Sequence, residues 1–102
     1  MENGEQPMET LPVDVLCGAA DCLKIMAHPV RLQIVDILMQ EDLSVRELAA
    51  RCGVQEHQIC GHLRLMQRCG LLEGERRGRA VHYRITSPNL PALIQCIRAH
   101  FL

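Results

Sequence analysis

Between Ser44 and Ile59 the chain sets three small landmarks at fixed intervals: Ala49, then Gly53 four positions on, then Ile59 six beyond that. Few folds accommodate this spacing. An alanine lets two helices cross closely, a glycine takes the positive φ of a tight turn, and an isoleucine fills the angle between the helices. Just ahead, Ser44-Val45-Arg46-Glu47 fits a capping box, in which the serine oxygen takes an orphan amide of the first turn and the glutamate reaches back. The pattern predicts a helix from Ser44 to just before Gly53 and a second over about Gln55 to Cys69. Gly70 suits the end of the second helix.

The flanking segments extend this unit. Leu71 to Arg76 and Ala80 to Ile85 read as two strands around Arg77-Gly78-Arg79, with Val81, Tyr83 and Ile85 on a packed face and His82 and Arg84 on a wet one. Upstream, Leu16, Ala19, Ala20, Leu23 and Met26 form an apolar stripe on a first helix that starts near Thr10 or Pro12 and ends near His28-Pro29. Pro29 opens a second helix with Val30, Ile34, Ile37 and Leu38 as its expected buried face. Leu90, Leu93, Ile94, Ile97 and Phe101 make the stripe of a last helix that begins at Ser87, Pro88 or Asn89. The expected fold is a mainly α winged helix-turn-helix: four helices, two strands and a fifth helix in one domain over residues 11 to 102, behind a flexible tail at residues 1 to 10. Two terminal helices with unspent apolar stripes suggest that they pack together across a two-fold axis in a homodimer.

Charge points to what such a unit would read. The net charge is −1, yet residues 1 to 63 carry ten acids and four bases, whereas residues 64 to 102 carry two acids and seven bases. A local basic field is enough to supply phosphate contacts. Arg76, Arg77 and Arg79 at the hairpin tip can reach backbone or minor groove. On the second helix of the pair, Gln55, His57, Gln58 and Arg64 can bond purine edges or phosphates. Ser44, Gly61 and His62 complete the expected surface for double-stranded operator DNA, although the neighbours of His62 favour a partly buried ring bonded to backbone. Glu56 and Gly61 fit a different class, a winged-helix protein-interaction module with weak or lost DNA binding.

Other classes recede. No apolar run approaches the roughly 20 residues of a spanning helix, the polar start is no signal peptide, and the expected location is the cytoplasm. Six cysteines without a CxxC pair then read as reduced thiols. No Cys/His pair comes with the orienting third group of a nucleophilic site, so no enzyme is expected.

Four segments together resemble the ArsR/SmtB family of small bacterial winged-helix repressors: Ala27 to Leu32, Leu43 to Leu48, His62 to Leu71 and Arg76 to Ile85. The resemblance covers roughly Val13 to Leu102. It implies a homodimer joined by the first and last helices, an operator-binding fourth helix, a wing, and release of DNA on sensing a metal, metalloid or reactive sulfur. The family's sensor patterns do not carry over whole. Its cysteine-x-cysteine motif falls on Ser44 and Arg46, and the acid and first histidine of its C-terminal zinc site fall on Ser87 and Asn89, leaving His100 matched. Its paired cysteines on the fourth helix fall on Leu65 and Cys69, and its persulfide cysteine falls near Asp36.

The residues themselves suggest a different sensor. Cys96 and His100 lie four apart and share a helix face, a spacing that suits one soft cation. Cys17 and Cys22 lie about 140° apart around the first helix, so only one of them is expected to meet Cys96 at a dimer interface. Arsenite, a soft metal or reactive sulfur is the expected signal at this set. Buried packing thiols are the alternative for Cys17, Cys22 and Cys96, and the expected role of Cys52 and Cys69.

Overall fold

A computed structural model of the chain describes residues 9–102, so the expected tail lies outside the described residues except for its last two positions. Seven elements follow in the expected order: α1 (Val13–Met26), α2 (Pro29–Leu38), α3 (Val45–Cys52), α4 (Glu56–Arg68), β1 (Leu72–Arg77), β2 (Ala80–Ile85) and α5 (Leu90–Phe101). This is a mainly helical winged helix-turn-helix with one antiparallel two-stranded sheet.

Local chemistry sets the boundaries. His28 does more than precede a proline: its backbone is extended and its Nδ1 accepts the Val30 amide at 3.1 Å, capping α2. Pro29 follows at the first helical position, where a missing N–H costs nothing. At α3 the capping box is complete, with the Glu47 amide donating to Ser44 Oγ at 3.1 Å and the Ser44 amide donating to Glu47 Oε1 at 2.8 Å. Gly53 closes α3 in the left-handed region at φ 70°. The Val54 amide then donates to Ala49 O at 3.1 Å, and the chain turns into α4.

The hairpin is one residue longer at its tip than expected. Arg77 pairs with Ala80, which leaves a two-residue loop of Gly78 and Arg79, with Gly78 at φ 62°. Two-residue loops match the twist of the strands when the first loop position takes positive φ, and glycine does so without strain. Leu71 stays outside β1 because its amide satisfies Met66 O at 3.1 Å, finishing α4 instead.

The core lies between α2, α3, α4, β1 and α5. Ile34, Val35, Leu48, Ile59, Leu63 and Met66 are almost wholly removed from water, each contributing about 1.5–3 kcal/mol of transfer free energy. Three expected faces differ. Val35 is buried and Val30 and Leu38 only half-buried, because α2 is wrapped on several sides by α3, α4, α5 and β2 rather than packed along one stripe. Phe101 is exposed, near the end of the chain. Of the expected α1 stripe only Met26 is buried, while Leu16 and Leu23 are exposed together with Val13 and Val15.

Candidate nucleic-acid interface

The outer side of α4 is polar and open: Gln55, Glu56, His57, Gln58, Gly61, Arg64 and Arg68 are all exposed. Its start is stiffened by one of the residues expected to read bases. The Gln55 amide donates to Gln58 Oε1 at 3.1 Å, which leaves the Gln58 side-chain NH₂ as its outward group. Gly61 faces open space, since a Cβ added there would meet nothing within 4 Å.

Beside α4 lies a cleft of about 450 Å³ between the start of α3, α4 and β2. Arg46, Arg64 and Arg79 line it from three different elements, against the single acid Glu56, whose carboxylate is 3.9 Å from Arg46 Nε. Ser44 lines the cleft but is itself buried, with its oxygen engaged in the α3 cap. Arg76 and Arg79 are exposed and have no ion-pair partner among the described residues.

Arg77 differs. Its guanidinium donates to Asp42 at 2.7 Å and to Glu75 at 2.9 Å, so it sits inside an acidic pair rather than free at the tip. His82, expected on the wet face of β2, has a side chain only 17% exposed. Its Nδ1 is 2.9 Å from Asp42 and its backbone bridges to Ser44, which draws the α2–α3 connection against the wing. These partners stand 35 and 40 positions apart in sequence, and nothing local in the pattern announces them.

His62 turns toward α2. Its Nδ1 accepts from Arg31 Nε at 3.1 Å and its ring lies 4.7 Å from that of His28, so it is part of the α2–α4 packing rather than of the open face. Burial, then the Arg31 charge and His28, hold its imidazole below the ordinary histidine value. Arg31 also donates to Ile25 O at 2.9 Å, tying the end of α1 into the same cluster.

The expected sensor set is not assembled within one chain. Cys17 and Cys96 are exposed, and His100 stacks edge-on with Phe101 at 4.7 Å. Among the described residues no group of three or more His, Cys, Asp or Glu side chains is placed to hold a metal ion. The half-buried Cys22 is a neighbour of Cys69, at the end of α4. Burial above all, with the Cys22 thiol second, pushes the Cys69 thiol up. Cys52 is also pushed up by burial, as a packing thiol would be.

Comparison with known proteins places this geometry. Residues 28–73 match the bacterial regulatory protein, arsR family. The chain is 33% identical over 89 residues to the HTH-type transcriptional repressor SmtB of Mycobacterium tuberculosis, covering 87% of this chain and 66% of that protein's length. It is 33% identical over 75 residues to the transcriptional activator HlyU of Vibrio cholerae, covering 74% of this chain and 69% of HlyU. The solution structure of a homodimeric winged helix-turn-helix DNA-binding domain from Mycobacterium bovis, described as a possible ArsR-family regulator, superposes with a TM-score of 0.76. That pair is 26% identical, over 92% of this chain and 87% of the other.

Proposed function

Because the chain belongs to the arsR family of bacterial regulatory proteins, we propose that it is a cytoplasmic homodimer that binds a double-stranded operator and represses transcription. It is a regulator and not an enzyme. The observation that carries the reading is the cleft in which Arg46, Arg64 and Arg79 converge from α3, α4 and the hairpin loop beside the open face of α4. Arginines from three elements around one groove suit a phosphate backbone, while Gln55, His57 and the Gln58 NH₂ are placed for base edges. Repression rather than activation follows the SmtB relative, whose match extends over more of this chain than that of HlyU. The exposed apolar positions of α1 supply a surface for a second copy, and a dimer would present two readers to two half-sites.

The test is a salt titration with a duplex taken from upstream of the protein's own coding sequence. Binding should weaken steeply with salt, and Arg64→Ala and Arg79→Ala should each remove roughly 0.9 from the log–log slope. Binding that ignores salt and both substitutions would favour a protein-interaction module.

Release by a thiol-reactive signal, whether arsenite, a soft metal or reactive sulfur, is the second half of the reading. The exposed Cys17 and Cys96 and the Cys22–Cys69 contact support it. A site joining Cys96 and His100 to Cys17 or Cys22 would have to form across the dimer, since one chain does not gather it. Cys96→Ser should keep DNA affinity and lose the response, and Cys52→Ser should keep both. A Cys96→Ser dimer that still leaves DNA on exposure to the parent's inducer would rule that site out.

A further inference from the structure

Asp42 bridges two side chains of the wing with its two oxygens. Oδ2 accepts from Arg77 at 2.7 Å and Oδ1 lies 2.9 Å from His82 Nδ1, while Glu75 holds the Nε of the same arginine. The arrangement is fixed by backbone as well as charge. Asp42 stands two residues before Ser44, and Ser44 makes a bridge to His82 itself. Asp42 and Arg77 nevertheless remain largely open to solvent, with side chains 60% and 45% exposed. A guanidinium and an imidazole that grip two carboxylate oxygens offer the same donors that two non-bridging oxygens of a phosphodiester would meet.

We propose that Arg77 and His82 form a phosphodiester-binding site near the tip of the wing, which Asp42 occupies as an internal counter-ion until the DNA backbone displaces it. The proposal rests on the DNA-binding reading above and adds to it a residue, His82, and an acid, Asp42, that tune its strength. The hydrogen bond from Arg77, and then that with His82, keep the Asp42 carboxyl below the usual carboxylate range, so the internal anion is charged whenever DNA competes with it. Ion pairs this exposed are weakly held, which makes the exchange of one anion for another accessible. In the parent protein Arg77 therefore adds less to DNA affinity than Arg79, which has no ion-pair partner among the described residues.

The experiment is a double-mutant cycle on the full chain, with duplex affinity measured against KCl for the parent, Asp42→Asn, Arg77→Ala and the double variant. Asp42→Asn should tighten binding about three- to tenfold at low salt and steepen the log–log slope by roughly 0.9, the signature of one more phosphate contact. Arg77→Ala should change the parent's affinity less than it changes that of Asp42→Asn, and should erase the gain. A gain that persists without Arg77 would reduce the effect to long-range charge and overturn the site. Unchanged or weaker binding by Asp42→Asn, with faster amide exchange across Arg77 to His82, would make Asp42 a splint for the hairpin and overturn it equally. A parent that binds no duplex at low salt sinks the DNA-binding reading as well, whereas a parent that binds beside an unresponsive Asp42→Asn sinks this inference alone.

Discussion

Helices α1 and α4 are nearly the same length, 14 and 13 residues, and place their apolar residues in opposite settings. In α4 the apolar set is turned inward, with Ile59, Leu63 and Met66 at no measurable exposure and a polar face left to the solvent. In α1 only Met26 is buried, and Val13, Leu16 and Leu23 stand 47–73% exposed. The same periodicity has two physical outcomes because a stripe says that a face must be covered, not by what. The α4 stripe is covered by its own chain, and that rigid seat is what lets its other face be presented. Apart from Met26, the α1 stripe is left uncovered among the described residues, and this is the face that the proposed second copy would take.

The comparison breaks most visibly at Leu63. Leu63→Ala empties a site with no exposure and should cost about 2–5 kcal/mol, read as a fall in the denaturant midpoint. Loss of less than about 1 kcal/mol would mean that α4 is not seated as described. Leu16→Glu with Leu23→Glu should leave that midpoint for the monomer nearly unchanged while shifting sedimentation from dimer to monomer. Burial of two leucines at about 1.5–3 kcal/mol each makes the expected loss of dimer affinity at least a hundredfold. A dimer that survives both charges places the interface elsewhere.

Gly61→Ala sharpens the contrast from the exposed side of α4. With open space for the new methyl, the helix should gain about 0.5–1 kcal/mol. Operator affinity should fall in the same variant, since on the proposed DNA-binding face the new Cβ would come between the helix backbone and the groove. Gain in stability without loss of affinity would separate Gly61 from the DNA surface.

The smallest effect belongs to His62, on the seam between α2 and α4. Its imidazole is held below the ordinary value by burial first, then by Arg31 and His28. The unfolded chain takes up that proton near pH 6.5 and the folded chain only at lower pH. The stabilisation is therefore complete above about pH 6.5 and declines as the pH falls below it. Denaturant midpoints at pH 7.5 and 5.5 should differ in the parent and differ less in His62→Gln. Equal pH sensitivity in the two proteins would assign the change to other groups.

Legibility followed the range of the forces. The order of elements and the α3 cap could be read directly, because Ser44 with Glu47, Gly53 and His28-Pro29 act within a few residues of themselves. Ile59 as the plug between α3 and α4 was equally plain, and it is fully buried. What escaped was set at long range. Arg77 reads locally as a free cation on a glycine turn, and only the folded chain brings Asp42 to it. The partial burial of His62 could be read from its neighbours, but not that its partner is the Arg31 side chain rather than backbone. Cys22 lies beside Cys69 within the chain, a neighbour that spacing along one helix cannot announce.

Ser44 has a consequence for how any signal can travel. One residue caps α3 through its side chain and its amide, and also bridges its backbone to His82 in the wing. The first turn of the helix pair and the second strand of the hairpin therefore cannot shift independently without breaking bonds at a buried position. A signal received at α1 or α5, where the sensor is proposed, would have to turn or translate the helix pair and the hairpin together. In the proposed dimer, regulation would then be a matter of where two such units are aimed, not of how either is shaped.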